Sequence, residues 1–119
     1  MSEVEPNDSL LFENRQMLLR LAENHDLTGS HEIEISSKFS DREAAFAARE
    51  YVVGKYGITQ GTLFRVVMMK YSTYQTIHLA FDFVTEPSAE LITKHEMMLV
   101  DAAAKFGGET PGWEIQVKK

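Results

Sequence analysis

Two adjacent stretches decide the fold of this chain: Thr62-Leu-Phe-Arg-Val-Val-Met-Met-Lys-Tyr71 and Gln75-Thr-Ile-His-Leu-Ala-Phe-Asp-Phe-Val84. Both are rich in β-branched and aromatic residues, and the short polar link Ser72-Thr73 lies between them, which is typical of a β-hairpin. The second stretch alternates apolar and polar side chains, as a strand with one buried face requires. A two-residue link sets Tyr71 opposite Tyr74 and fixes the register of all pairs behind them.

The chain before the hairpin predicts a helix, a strand and a second helix. The first helix is expected to begin with Asp8 or Ser9 as its cap and to end near residue 24. Residues 31–39 alternate as another half-buried strand. Ser40 and Glu43 have the spacing of a capping box, with Ser40 as the N-cap of a helix that continues to about residue 56.

The chain after the hairpin predicts a third helix and a last strand. The segment Thr85-Glu-Pro-Ser88 closes the preceding strand and caps the helix, with Pro87 near the helix start, and Gly107-Gly108 end it because glycine readily adopts the left-handed conformation of a helix C-terminus. Pro111-Gly112 then form a turn into an alternating strand over residues 113–117.

The resulting order is α-β-α-β-β-α-β, which belongs to the α+β class. Apart from the extra N-terminal helix, two β-α-β halves remain, the pattern of a ferredoxin-like split β-α-β sandwich. Right-handed crossovers place both inner helices on one face of a four-stranded antiparallel sheet. Residues 31–39 and 75–84 are expected at its centre, and residues 62–71 and 113–117 at its edges. We expect a flexible N-terminus over residues 1–7 and a single domain over residues 8–119.

Composition excludes several classes of protein. The 119 residues include no cysteine, which rules out disulfides, thiolate catalysis and cysteine-bound metals. The net charge of −6 disfavours a surface that follows a phosphate backbone, so no direct nucleic-acid binding is expected. The first residues are acidic where a signal peptide is basic and then apolar, and no run is long enough to span a bilayer, so a cytoplasmic location is expected.

No catalytic or metal motif is recognisable. The four histidines lack the spacing of a metal site, so neither a metal nor a cofactor is predicted. His78 and Asp82 share one face of a predicted strand, but they are too far apart along it for a direct hydrogen bond. Glu32 and Glu34 alternate with isoleucine and are interpreted as the polar side of the sheet.

The face of the sheet opposite the inner helices is the best candidate for a binding surface. It is more apolar than a solvated sheet requires, and tyrosine and methionine are favoured at protein interfaces. Either the first helix covers this face or a protein partner binds it. The predicted partner-binding residues are Arg65, Val67, Met69, Tyr71, Tyr74 and His78.

Trp113, the only tryptophan, is predicted to be buried and structural. Gly112 gives the backbone freedom to turn the large side chain inward, against the third helix near Ala102 and Phe106. A carbonyl at the Gly107-Gly108 helix end is the expected acceptor for the indole N–H. Truncation to alanine is expected to cost about 3–5 kcal/mol.

Several segments resemble one known family. They are Asn14-Arg15, Leu18-Leu19, Glu32-Ile33-Glu34, Glu90-Leu91-Ile92, Leu99, Ala103-Ala104-Lys105-Phe106-Gly107-Gly108 and Gly112-Trp113. Together they resemble the regulator of ribonuclease E activity B (RraB) family, from about residue 12 to residue 115. The resemblance implies a ferredoxin-like fold, no catalytic activity and inhibition of ribonuclease E, the RNA-degradosome endonuclease. Better-known members of that family carry a strongly acidic C-terminal tail, whereas this sequence ends in Lys118-Lys119.

Two functional hypotheses follow. The first is a bacterial, non-enzymatic regulatory protein, monomeric or weakly dimeric, that binds a protein partner such as the degradosome endonuclease. The second is a small dimeric enzyme or ligand-binding domain that uses the open sheet face, with His78 and Asp82 as its polar groups.

Overall fold

The computed structural model describes residues 3–4 and 6–117. The expectations for residues 1, 2 and 5 of the N-terminus, and for Lys118-Lys119, lie outside these ranges. The helices and strands are α1 (Asp8–Asn24), β1 (His31–Phe39), α2 (Arg42–Tyr56), β2 (Leu63–Lys70), β3 (Gln75–Thr85), α3 (Ala89–Phe106) and β4 (Gly112–Ile115).

The four strands form one antiparallel sheet in the order β2-β3-β1-β4. This order confirms the split β-α-β sandwich, with the predicted central and edge strands. The hairpin register is also as predicted: Lys70 pairs with Gln75, and the Tyr71 N–H donates to the Tyr74 carbonyl over 2.7 Å. The last strand begins at Gly112 and ends at Ile115, earlier than the predicted Val117.

The hydrophobic core lies between the sheet and the pair α2 and α3. Alternate residues of the strands point into it because successive side chains of a strand face opposite sides. Phe64 and Phe81, neighbours across β2 and β3, stack with ring centroids 4.0 Å apart. The other large, fully buried apolar side chains are Ile33, Ile35, Val52, Leu79, Ile92 and Leu99.

Two helices begin with a different cap from the one predicted. The N-cap of α1 is Asn7, whose side-chain oxygen accepts from the Leu10 N–H, and neither Asp8 nor Ser9 has that role. The N-cap of α2 is Asp41, which accepts from the Ala44 N–H over 2.8 Å.

The predicted capping box of Ser40 and Glu43 is therefore wrong by one residue. Asp41 is also a favoured cap, and its negative charge adds a favourable interaction with the helix dipole. With Asp41 as the cap, the third helical position is Ala44, so Glu43 lies in the first turn without completing a box. Ser88, the last residue of the segment predicted to cap α3, is its N-cap, and the predicted glycine end at Gly107 is confirmed. Gly57, also in the left-handed conformation, ends α2.

Helix α1 packs beside α3, on the helix side of the sheet. Leu18 of α1 packs against the core, but the only buried residue of the helix is polar: Asn14 is 2% exposed. The Asn14 amide donates to Thr93 Oγ1 over 2.9 Å and to Glu96 Oε1 over 2.7 Å, both on α3. On the surface, Arg15 pairs with Glu90 over 2.7 Å.

Trp113 completes this buried network. Its indole N–H donates to Asn14 Oδ1 over 2.9 Å, so the predicted acceptor at the Gly107-Gly108 helix end is wrong. Trp113 is half-buried against the core on the helix side of β4, paired with Ile35 of β1. Phe106, at the end of α3, also packs against the core. The indole therefore helps to hold the extra helix to the rest of the fold.

The outer sides of α2 and α3 are joined through Asp101. Its carboxylate accepts from Lys55 Nζ at 2.7 Å and from the hydroxyls of Tyr56 and Tyr51 at 2.6 and 3.0 Å. Burial by itself raises the pKa of Asp101, but the hydrogen bonds from Lys55, Tyr56 and Tyr51 outweigh it and hold that pKa below its usual range. Burial, with the bond to Asp101, raises the pKa of Tyr56 to about 12. These groups are mutually satisfied and tie the two helices together.

Candidate functional site

The sheet face opposite α2 and α3 is the open face. Among the described residues no helix covers it, because α1 lies on the other side of the sheet. The register arranges the open face in cross-strand rows. From the hairpin tip inward, the rows are Tyr71–Tyr74, Met69–Thr76, Val67–His78–Lys38, Arg65–Ala80–Ser36–Gly112 and Leu63–Asp82–Glu34–Glu114.

We call Val67, Met69, Tyr71, Tyr74 and His78 the hairpin patch. Tyr71 and Tyr74 are 48% and 60% exposed, and their rings stack with centroids 4.6 Å apart. Met69 is also exposed, and its sulfur accepts a long contact from the Tyr71 hydroxyl at 3.8 Å. The patch is therefore an exposed, pre-arranged aromatic and thioether surface on a regular hairpin.

His78 is part of this surface rather than of an acid–base pair. Its Nε2 lies 2.9 Å from Thr76 Oγ1, while Asp82 accepts from Arg65 Nε over 3.1 Å. Burial lowers the pKa of His78, and the nearby Lys38 lowers it further. A largely neutral imidazole suits an apolar contact surface. His78 and Asp82 are not brought together into a pocket.

A row of small side chains separates the hairpin patch from the other end of the open face. Ser36, Ala80 and Gly112 lie side by side across three strands. Ala80 is only 1% exposed, because a methyl group between longer neighbours is shielded by them. On β3, β1 and β4, this row therefore carries no long side chain over the middle of the sheet.

Next to these small residues lies the acidic row, which we define as Asp82, Glu34 and Glu114. Asp82 is directly opposite Glu34, and Glu34 is directly opposite Glu114, on adjacent strands. Burial raises the pKa of Glu34, and the carboxylates of Asp82 and Glu114 raise it further, while Arg65 opposes this in part. The row borders a cavity of about 270 Å³ that Glu32 and Arg65 also line.

Sequence reasoning placed all six predicted partner-binding residues on one face of the sheet. Five of them form the hairpin patch, whereas Arg65 is held by Asp82 at the border of the acidic row. The acidic row itself was missed. The alternation around Glu34, Asp82 and Glu114 put each one on the open face, but their adjacency depends on how β4 and β3 align on β1.

Asn14 was also missed as a structural residue. Its signal in the sequence is a single amide within the apolar stripe of the first helix, between Leu11 and Leu18. A polar residue in such a stripe indicates a buried hydrogen-bond partner, since an unpaired buried amide is costly.

Within the described ranges, no group of three or more His, Asp or Glu side chains is placed to hold a metal ion. In the same ranges, no helix combines the length and apolar character needed to cross a bilayer. The acidic row thus has carboxylate chemistry without metal-site geometry.

Comparison with known proteins gives one family. No curated protein matches the chain. The family model described as "Regulator of ribonuclease activity B" (RraB) matches residues 12–115, from the first helix to the last strand. That range includes both ends of the open face as well as Asn14 and Trp113. The chain therefore belongs to the RraB family of regulators of ribonuclease activity.

Proposed function

We propose that this protein is a non-enzymatic cytoplasmic regulator that binds ribonuclease E, the endonuclease of the bacterial RNA degradosome, through the hairpin patch. The observation that carries the proposal is the exposed Tyr71–Tyr74 stack on a sheet face that no described helix covers. Membership of a family of ribonuclease regulators supports a nuclease as the partner.

The chemistry of the hairpin patch supports a protein partner. Tyrosine and methionine are enriched at interfaces because they bury a large area while losing little conformational freedom. The Tyr71 and Tyr74 rings already stack on each other, so these side chains lose little further conformational freedom when a partner binds. Because the pKa of His78 is lowered, its imidazole favours the neutral form, so burial at an interface does not carry the desolvation cost of a charged group.

A regulatory role without catalysis is supported by how the polar groups are engaged. His78 is bonded to Thr76, Asp82 to Arg65, and Asp101 to three donors between the helices. An acid–base role requires a group within reach of a bound substrate and a site that excludes water. The open face offers a broad surface instead.

The test combines a binding measurement with an activity measurement. Purified protein is titrated against ribonuclease E by calorimetry, and cleavage of a fluorescent RNA by the enzyme is followed at each concentration. The double variant Tyr71→Ala/Tyr74→Ala is expected to lose about tenfold or more in affinity, because central aromatic side chains dominate interface energies. Its inhibition of cleavage should fall in parallel.

The matched control is Phe46→Ala. Phe46 is 48% exposed on α2, the same fraction as Tyr71, but lies on the helix side of the sheet. It should retain full binding. If the unmodified protein neither binds ribonuclease E nor alters its cleavage rate, this function is wrong. Equal losses from the control and the hairpin variant would place the interface elsewhere.

A further inference from the structure

We propose that the acidic row docks a basic segment of the protein partner, one that carries arginine or lysine side chains, alongside the hairpin patch. The inference rests on the proposed function and adds the chemistry of the partner's contacting segment. It assigns the two ends of the open face different tasks: apolar anchoring at the hairpin, and charge pairing at Asp82, Glu34 and Glu114.

The first support is that the acidic row destabilises the free protein. Like charges directly opposite each other on neighbouring strands repel, and here three carboxylates stand in one row. Burial is the largest cause of the raised pKa of Glu34, and the repulsion from Asp82 and Glu114 raises it further. The row faces away from the core, so packing does not require it. A bound cation removes this repulsion.

The second support is the small number of cations that compensate the row. Arg65 reaches Asp82 over 3.1 Å, and among the described residues no ion pair joins Glu34 or Glu114 to a cation. The net charge of −6 adds a long-range attraction for a basic partner. A guanidinium group binds a carboxylate through two parallel hydrogen bonds. Arginine side chains of a partner therefore suit a row of carboxylates.

The third support is the continuity of the surface. Only the small residues Ser36, Ala80 and Gly112 lie between the acidic row and the hairpin patch on β3, β1 and β4. From Asp82 to Tyr74 along β3 is eight residues, or about 26 Å at the rise of a strand. An extended segment of similar length, basic at one end and apolar at the other, can contact both ends at once.

The experiment uses the intact protein and a defined probe. A fluorescent oligo-arginine peptide with a hydrophobic end is titrated with the protein by anisotropy. The same peptide with citrulline in place of arginine is the control, since citrulline keeps the shape and removes the charge. The variant is Glu34→Gln/Asp82→Asn/Glu114→Gln. The matched variant is Glu23→Gln/Glu43→Gln/Glu50→Gln, on exposed positions of α1 and α2.

Both variants remove three negative charges, so the net charge goes from −6 to −3 in each. The acidic-row variant is expected to weaken arginine-peptide binding about tenfold or more, and the matched variant about twofold or less. The citrulline peptide should bind weakly to all three proteins. The acidic-row variant should also melt at a higher temperature than the unmodified protein, which shows that it is folded.

Four outcomes overturn the inference. Equal weakening in both variants means general charge attraction, and equal binding of the citrulline peptide means that charge has no part. Saturable binding of Mg²⁺ or Ca²⁺ alone that blocks the peptide makes the row a cation site. A dimer that falls apart when the row is neutralised makes a second copy of the chain the occupant.

Titration against ribonuclease E separates this inference from the proposed function. If the hairpin variant loses binding while the acidic-row variant keeps it, the function stands and the basic segment is wrong. If ribonuclease E binds no form of the protein while the peptide binding still depends on the row, the proposed partner is wrong and the acidic docking chemistry stands.

Discussion

At the scale of single residues, the fold depends on one buried amide. Asn14 uses both ends of its side chain: the oxygen accepts from Trp113, and the nitrogen donates to Thr93 and Glu96. Buried polar groups stabilise a fold only when their partners are present, so this network holds α1 in one position.

Replacing Asn14 with alanine removes the partner of two buried groups, on Thr93 and Glu96, and of the half-buried Trp113 indole. We expect Asn14→Ala to lower the free energy of unfolding by about 3 kcal/mol, because each unsatisfied buried group carries its full desolvation cost. Urea denaturation followed by tryptophan fluorescence measures this directly. Gln16→Ala on the same helix is the control and should change stability little. A loss as small as that of the control would contradict the structural role.

Trp113 allows its packing to be separated from its hydrogen bond. Trp113→Phe keeps an aromatic ring but removes the N–H together with part of the indole, which leaves Asn14 Oδ1 unpaired, for an expected loss of about 1–2 kcal/mol. Trp113→Ala should cost about 3 kcal/mol, the lower end of the sequence-based range, because the ring is half-buried. Thermal unfolding by circular dichroism compares the two. A Trp113→Ala protein of unchanged stability that fails to bind ribonuclease E would assign the ring to the interface.

Glu96 predicts a pH dependence of stability. Burial raises the pKa of Glu96 above its ordinary value of 4.5, and the bond from Asn14 opposes this only in part. The native state therefore holds this proton more tightly than the unfolded chain does. The stability from this group is complete below about pH 4.5 and is lost as the pH rises through the raised pKa.

In Glu96→Gln that loss is absent, because the amide cannot ionise but can still accept from Asn14. The difference in unfolding free energy between the variant and the unmodified protein should shift in favour of the variant as the pH rises from acid to neutral. Denaturation series at several pH values measure this difference. A constant difference across the range would show that Glu96 does not titrate in this way.

At the scale of elements, the two ends of the connection between α3 and β4 differ in how much room they leave for an added side chain. A side chain at Gly108, just after α3, places its Cβ 2.8 Å and 2.9 Å from atoms of the Phe39 ring and 3.0 Å from the Ala103 methyl. Phe39 is buried and cannot swing away. At Gly112, where β4 begins, a Cβ meets no atom within 4 Å.

We therefore expect opposite results from the same substitution at these two glycines. Gly108→Ala should cost about 1–3 kcal/mol through overpacking at the core. Gly112→Ala should change stability by about 0.5 kcal/mol or less, since nothing obstructs it. Melting temperatures of the two variants, measured side by side, decide the matter. Similar melting temperatures would mean that the α3–β4 joint can relax.

At the scale of the whole molecule, we expect the open face to govern self-association. Two copies whose hairpin patches meet would also bring their acidic rows near each other, and the repulsion between the rows would oppose the contact. Salt screens such repulsion between exposed charges. We expect a monomer at low salt and an association constant that rises with salt, measured by sedimentation equilibrium.

Neutralising Glu34, Asp82 and Glu114 should strengthen this association at low salt for the same reason. The Tyr71→Ala/Tyr74→Ala variant should stay monomeric throughout, which is the control for the surface involved. Association that weakens as salt is added would mean that charge pairing, rather than the apolar patch, joins the copies.

The sequence by itself determined the elements and their order. The patterns that sufficed are local: period-two alternation, the Ser72-Thr73 link and the glycine helix ends. Each follows directly from the backbone geometry of a strand, a turn or a helix end. The right-handed crossover then leaves essentially one way to arrange two β-α-β halves in a sheet. The six predicted open-face residues followed from the hairpin register alone. At this level the errors lay at element ends: Asn7 rather than Asp8 or Ser9 caps α1, Asp41 rather than Ser40 caps α2, and β4 ends at Ile115.

The tertiary structure decided everything that depends on contacts between distant segments. The side of the sheet on which α1 lies follows from Asn14 meeting Thr93, Glu96 and Trp113. Asp82, Glu34 and Glu114 form a row only because β3 and β4 both align on β1. Hydrophobic periodicity places a residue on a face but carries no information about which residue of another strand lies beside it, since that is set by packing of the whole sheet.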